Sequence, residues 1–346
     1  MRPFFKVMKK ILALLLILII LLGGGFAGYA VMTGPVDKTD LQQIVVKIES
    51  GSGTAQIADV LAENRLIKNT TVFRINSKLH HYDGKYMAGT YGFAKNMSMD
   101  DIQQVIVQGA TLAHRLTIIE GETVEKIAWK LDEQGIVSYE DFMEEEEHGE
   151  FNYDFLNGNE NSLYRLEGFL YPDTYAFEPG ESAHDIINQM LSHFEAVVDT
   201  SKCAEGYSFR ETLIIATIIQ REAGSLNDME LVSSVIHNRL DIGMALQMDS
   251  IISYILQEDR VNLTYSDIAI ESDFNPYKNP GLPPGPICSP SVDAINAAMN
   301  PADTDYLYFV LSEKLDGSAF FTSDYDEFLE AKDRYYDAVK KAEQGE

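Results

Sequence analysis

The sequence predicts an α+β protein with an N-terminal transmembrane helix, a small βα module and a larger mixed α+β domain. Three observations predict it: an uninterrupted apolar run near the N-terminus, an internal strand–helix repeat behind it, and a C-terminal half where helical periodicity is interrupted by Gly/Pro-rich polar segments. With 346 residues, 45% of them hydrophobic, the chain can bury a core, and at roughly 150 residues per domain it suggests two domains beyond the span.

The apolar run comes first. From Ile11 to Val36 there is no charged residue, which exceeds the roughly 20 residues a helix needs to cross a bilayer. A cleaved signal peptide has a shorter apolar core and a small-residue cleavage site; no clean A-x-A follows here, so the reading is an uncleaved anchor. Arg2, Lys6, Lys9 and Lys10 precede the span and Asp37 and Asp40 follow it, which predicts a cytoplasmic tail over 1–10, a transmembrane helix over 11–33, and everything later outside the cytoplasm. The net charge is -27 despite those four cations. Such a surface repels phosphate backbones and excludes nucleic acid as a partner. Cys203 and Cys288 are the only cysteines; they allow one disulfide but neither a disulfide scaffold nor a Cys-built metal site. No metal centre or cofactor is indicated.

The repeat pairs Ile48 with Ile118, Gly51 with Gly121, Ile57 with Ile127, Ala58 with Ala128 and Leu61 with Leu131 at one constant offset. Each copy reads as a strand, a Gly turn and an amphipathic helix. Between them Met87–Phe93 alternates as a strand does, and Ser98 with Asp101 forms a capping box for a helix that stops at Gly109. The second copy, EGETVEKIAWKL (Glu120–Leu131), is similar to the core of LysM domains, which bind N-acetylglucosamine-containing glycans. The region 34–157 is therefore expected to be a LysM-like module, serving either glycan binding or a spacer and docking role, and 158–346 the larger domain.

Within the larger domain Ser208 and Glu211 make a second capping box, an apolar period runs on to Arg221, and Gly224 is placed as the stop. Glu222 therefore occupies the last helical turn, where exposed carbonyls disfavour a second negative charge and raise a carboxyl pKa. A general acid needs that. Spacing alone also allows a solvated Glu222 paired with Arg221 or Arg239. A second helix is predicted over Asp228–Ile242. On it His237 reads as an edge histidine, and Asn238 and Arg239 as fixed donors toward a loop or a sugar. GLPPGPI (Gly281–Ile287) is a stiff loop; Asn275 and Tyr277 ahead of it suit an acetamido group and a pyranose face.

Taken together, E-G-x-x-x-P-D-T-Y from Glu167, I-x-x-E-A ending at Ala223, N-R-L-x-x-G-M-x-L-Q-x-D from Asn238, N-P-Y at Asn275–Tyr277 and G-L-P-P-G-P-I resemble the YceG-like family of endolytic murein transglycosylases. The resemblance implies that Glu222 is catalytic and that Glu167, Tyr171, Asp173, Tyr175, Asn238, Arg239, Gln247, Asp249, Asn275 and Tyr277 contact substrate or hold the loops that do. It implies peptidoglycan strands as substrate, a membrane anchor, and penicillin-binding proteins or other cell-wall synthases as neighbours. A second carboxylate would be needed for hydrolysis, and Asp173 and Asp249 are the residues that would supply it. The alternatives are thus a muramidase or a non-catalytic peptidoglycan-binding scaffold. Departures from the family pattern are Gln220 for a Glu, Ile251 for a Thr, and GSAFF (Gly317–Phe321) and EFL (Glu327–Leu329) where histidines are usual.

Overall fold

The computed structural model describes residues 15–16, 23–159, 161–258 and 263–344. Much of the expected membrane span at 11–33 therefore lies outside the described residues, as does the tail at 1–10; residues 23–33 are helical. Among the described residues no helix is long and apolar enough to cross a membrane.

The chain forms two compact units, Met1–His114 and Arg115–Glu346. In the first, strand β1 (Gln43–Ile48) runs antiparallel to β2 (Gly89–Ala94), with Val46 opposite Tyr91. Between them lie helices α1 (Thr54–Glu63) and α2 (Thr70–Leu79), and α3 (Met99–Gln108) follows. The capping box on α3 is formed, with Ser98 Oγ accepting from Asp101 N at 3.2 Å, and Gly109 ends the helix at φ 64°. Apolar side chains from both strands and these helices, Ile48, Leu61, Phe73, Phe93 and Ile106 among them, close the core.

The second unit opens with the same order of elements: strand β3 (His114–Thr117), helices α4 (Val124–Glu133) and α5 (Tyr139–His148), then strand β4 (Thr174–Phe177) paired with β3. The division between the two units falls at His114. The reason is packing: Leu116, Ile118, Ile127 and Leu131 join the large core with Phe169, Phe177 and Ile218. The segment Glu120–Leu131 therefore belongs to the second unit. Its turn is joined to the segment after GLPPGPI by paired backbone bonds, Gly121 N to Ser289 O at 2.8 Å and Ser289 N to Glu122 O at 2.7 Å.

Helices α6 (Ala183–Val197), α7 (Phe209–Glu222), α8 (Leu226–Asp241), α9 (Asp249–Leu256), α10 (Tyr265–Ile268) and α11 (Val292–Met299) complete the helical layer. All residues from Thr212 to Ile219 are buried, and a helix apolar on every side is a central one. Its two buried threonines are satisfied: Thr212 Oγ1 donates to Ser208 O (2.9 Å), and Thr217 Oγ1 donates to Ile214 O (2.7 Å) while accepting from Ile287 N (3.2 Å). A hairpin of β5 (Tyr308–Leu311) and β6 (Ala319–Thr322), antiparallel with Leu311 opposite Ala319, and helix α12 (Tyr325–Gln344) end the described chain. Cys203 is exposed, Cys288 is buried, and both are free thiols, so the disulfide that the sequence allowed is not formed.

Candidate active site

Glu222 is the last residue of α7, whose start is fixed by the Ser208–Glu211 capping box. Its carboxyl meets the beginning of α9: Ser250 N donates to Glu222 Oε1 at 3.1 Å. The group thus lies between the negative end of one helix and the positive end of another, and the two dipoles oppose each other. Desolvation decides the balance. Burial raises the Glu222 pKa above the ordinary carboxylate range, with the Ser250 contact pulling it down, Asp249 pushing it up and Arg221 pulling it down. Withdrawal of the carboxyl from water, more than its place at a helix terminus, raises its proton affinity.

The polar groups of α7 beside Glu222 position the surrounding chain. Gln220 Oε1 accepts from Ser291 N at 2.9 Å, and Arg221 Nη1 donates to Gly121 O at 3.1 Å. Beyond Ala223, a Cβ on Gly224 would stand 2.4 Å from Gly317 O, so glycine is required for the β5–β6 hairpin turn to approach the end of α7. This turn belongs to the segment GSAFF, which lacks the family's usual histidine.

Asp249, Gln247 and Tyr277 gather around the same place. Asp249 is the first residue of α9 and is exposed, and its Oδ1 accepts from the Tyr277 hydroxyl. Desolvation, then the Asp249 contact, raises the Tyr277 pKa, and the charge on Glu222 contributes. Gln247 has an exposed side chain and a left-handed backbone at φ 49°, and its N–H donates to Pro276 O at 3.3 Å.

Other sequence-predicted contacts face inward. Asn275 is fully buried: its Nδ2 donates to Ile268 O (3.0 Å) and Ile270 O (2.8 Å), and its Oδ1 accepts from Tyr277 N (2.9 Å). It shapes the N-P-Y turn and offers no surface to an acetamido group. Asn238 Nδ2 donates to Thr304 O and Tyr306 O, both at 2.9 Å. Arg239, 6% exposed, donates to Leu307 O at 2.7 Å and to Leu246 O, and its guanidinium lies 5.6 Å from the Tyr308 ring centroid. Both hold the entry to β5. His237 donates to Ala298 O at 3.1 Å and packs edge-on to Tyr207, an edge histidine as expected.

Glu167 is also fully buried, and both its oxygens face Val124 N at 3.2 and 3.3 Å, capping α4. Burial lifts its pKa to about 8. It has no exposed surface, and its bonds hold the start of α4. Asp173 Oδ2 meets His193 Nε2 at 2.7 Å beside a cavity of about 340 Å³ that Tyr175, Gln189 and Ser192 also line. The His193 ring is edge-on to Tyr171 and Tyr175 at 5.0 and 5.9 Å. His193 and Ser250 are the residues that sequence reasoning missed.

The α+β fold thus presents at the end of α7 a carboxyl withdrawn from water and bonded to a backbone N–H. Residues 46–334 match the YceG-like family, and the chain belongs to that family. It is 32% identical to the endolytic murein transglycosylase of Bacillus subtilis over 91% of each chain, and 28% identical to that of Streptococcus pneumoniae R6, of whose length it covers 63%. The crystal structure of a yceG-like protein from Listeria monocytogenes superposes with a TM-score of 0.56 at 29% identity, covering 83% of this chain and 98% of that one.

Proposed function

We propose that this protein is an endolytic peptidoglycan lytic transglycosylase and that Glu222 carries both proton transfers. The observation that carries the reading is the desolvated Glu222 carboxyl with its raised pKa, in a chain whose relatives bear that activity in their names.

The chemistry needs one group that starts protonated and ends protonated. Glu222 gives its proton to the oxygen linking N-acetylmuramic acid to N-acetylglucosamine, and the C1–O bond breaks as the oxocarbenium-like centre forms. The muramyl C6 hydroxyl then attacks C1, its proton passes to the Glu222 carboxylate, and a 1,6-anhydro ring closes. No water is consumed and the acid is regenerated. Ser250 N–H stabilises the carboxylate in the interval between the two transfers. Asp249, held by Tyr277, stands near; the transglycosylation cycle requires no second carboxylate.

The apolar run at 11–33 anchors the enzyme in the cell membrane with residues 1–10 in the cytoplasm and the LysM-like and catalytic regions outside, where nascent strands emerge beside glycan synthases. Mass spectrometry of peptidoglycan digests from the wild type and Glu222→Gln tests the reading. The wild type is expected to release anhydromuramyl ends and the variant none; reducing ends in their place would identify a muramidase, and unchanged strands a scaffold.

A further inference from the structure

The contacts around Glu222 form a relay. Tyr277 Oη donates to Asp249 Oδ1, Asp249 precedes Ser250 in the first turn of α9, and Ser250 N donates to Glu222 Oε1 at 3.1 Å. Tyr277 is itself fixed, because its N–H donates to the buried Asn275 at 2.9 Å and the Pro276 carbonyl accepts from Gln247 N at 3.3 Å. Asp249 is exposed, and an exposed carboxylate left to itself turns to solvent, where water and salt screen its field. The Tyr277 hydroxyl prevents that turn.

We propose that Asp249 and Tyr277 are a positioning pair that sets the proton affinity of Glu222, Asp249 through its charge and Tyr277 by holding that charge beside the carboxyl. The proposal rests on the reading of Glu222 as the acid. The charged and titratable groups that act on Glu222 come from each surrounding element: Arg221 on its own helix, Asp249 on α9, Tyr277 from the N-P-Y turn and Arg239 from α8. Of these the Asp249 charge makes protonation of Glu222 easier, whereas Arg221 opposes it. An acid that must also serve as base works best with a pKa near the ambient pH. A half-buried carboxyl already bonded to an N–H and near guanidinium groups gains from one negative charge nearby.

The test is the pH dependence of kcat/KM for the full-length chain acting on purified peptidoglycan, whose alkaline limb reports ionisation of the free enzyme's essential acid. Asp249→Asn keeps an acceptor for Tyr277 and removes the charge, so the limb should move to lower pH by roughly one unit. Tyr277→Phe should move it the same way by less. In the Asp249→Asn background, Tyr277→Phe should move it no further, because its effect passes through Asp249. Loss of activity at every pH with an unmoved limb, or equal shifts from Tyr277→Phe in both backgrounds, overturns the pair. Glu222→Gln, assayed alongside, separates the two claims: an inactive Glu222→Gln with unmoved limbs defeats only the pair, and an active one defeats the acid assignment beneath it.

Discussion

Ser250 N–H and Glu222 Oε1 lie 3.1 Å apart, so that the first turn of one helix closes on the last residue of another. A carboxyl so held has one rotamer favoured and a donor ready for its ionised form. Its neutral form is favoured by burial.

Glu222→Gln should leave the fold intact and reduce formation of anhydromuramyl ends by about 10⁴-fold or more, since in the proposed cycle one group performs both transfers. Because Glu222 has its pKa raised on folding, the stability it contributes is present at acid pH and lost as pH rises through the folded value; the amide removes that loss. The variant should therefore melt at or above the wild-type temperature at pH 8. A lower Tm at this pH would contradict the placement of the carboxyl.

Glu167→Gln should act on stability and not on turnover. The folded pKa of about 8 lies above the ordinary 4.5, so the folded state retains a proton that the unfolded chain releases, and stability falls as pH climbs from about 5 to 8. The amide can still accept from Val124 N. Melting temperatures across this range should be flatter for the variant, with a difference at the alkaline end of order a few kcal/mol.

Gly224→Ala adds a methyl group 2.4 Å from Gly317 O. The hairpin turn must retreat from the end of α7, at a cost of about 1–3 kcal/mol. Turnover should fall more steeply than this stability loss explains, while Gly180→Ala, at a glycine with open surroundings and φ 80°, should lower stability alone. Parallel thermal melts and product assays of both variants distinguish the two effects.

Arg239→Lys keeps the charge but loses the planar fork that spans Leu307 O and Leu246 O and lies over Tyr308. Lysine cannot make both bonds in that geometry. The expected loss is about 1.5–3 kcal/mol, the worth of hydrogen bonds to a charged group. Urea unfolding measures it; a midpoint equal to that of the wild type would show that the fork contributes nothing.

Local order was readable because it depends on neighbours in sequence. The Ser98 and Ser208 caps, the stop at Gly109 and the place of Glu222 in its last turn all follow from spacings of a few residues. Direction was not readable. Asn238 and Asn275 have an amide's bonding capacity wherever they point, and only the folded chain shows that they spend it on loop carbonyls. Ser250 gave no signal, since a backbone N–H is common to nearly every residue. Gly121 and Ser289 pair across most of the second unit, a long-range contact that no local spacing marks.

That pairing also bears on time. During synthesis the turn at Gly121 emerges early, but Ser289, which completes its backbone bonds, emerges near the end. Contacts so distant in sequence form late because the intervening loop must first be closed. Glu222 lies on the chain between these two points, and its neighbours Ser250 and Tyr277 also follow it in sequence. A chain interrupted before Ser289 would carry Glu222 without the turn locked behind it. An enzyme able to cut the wall is thus assembled only once nearly all of it has been made.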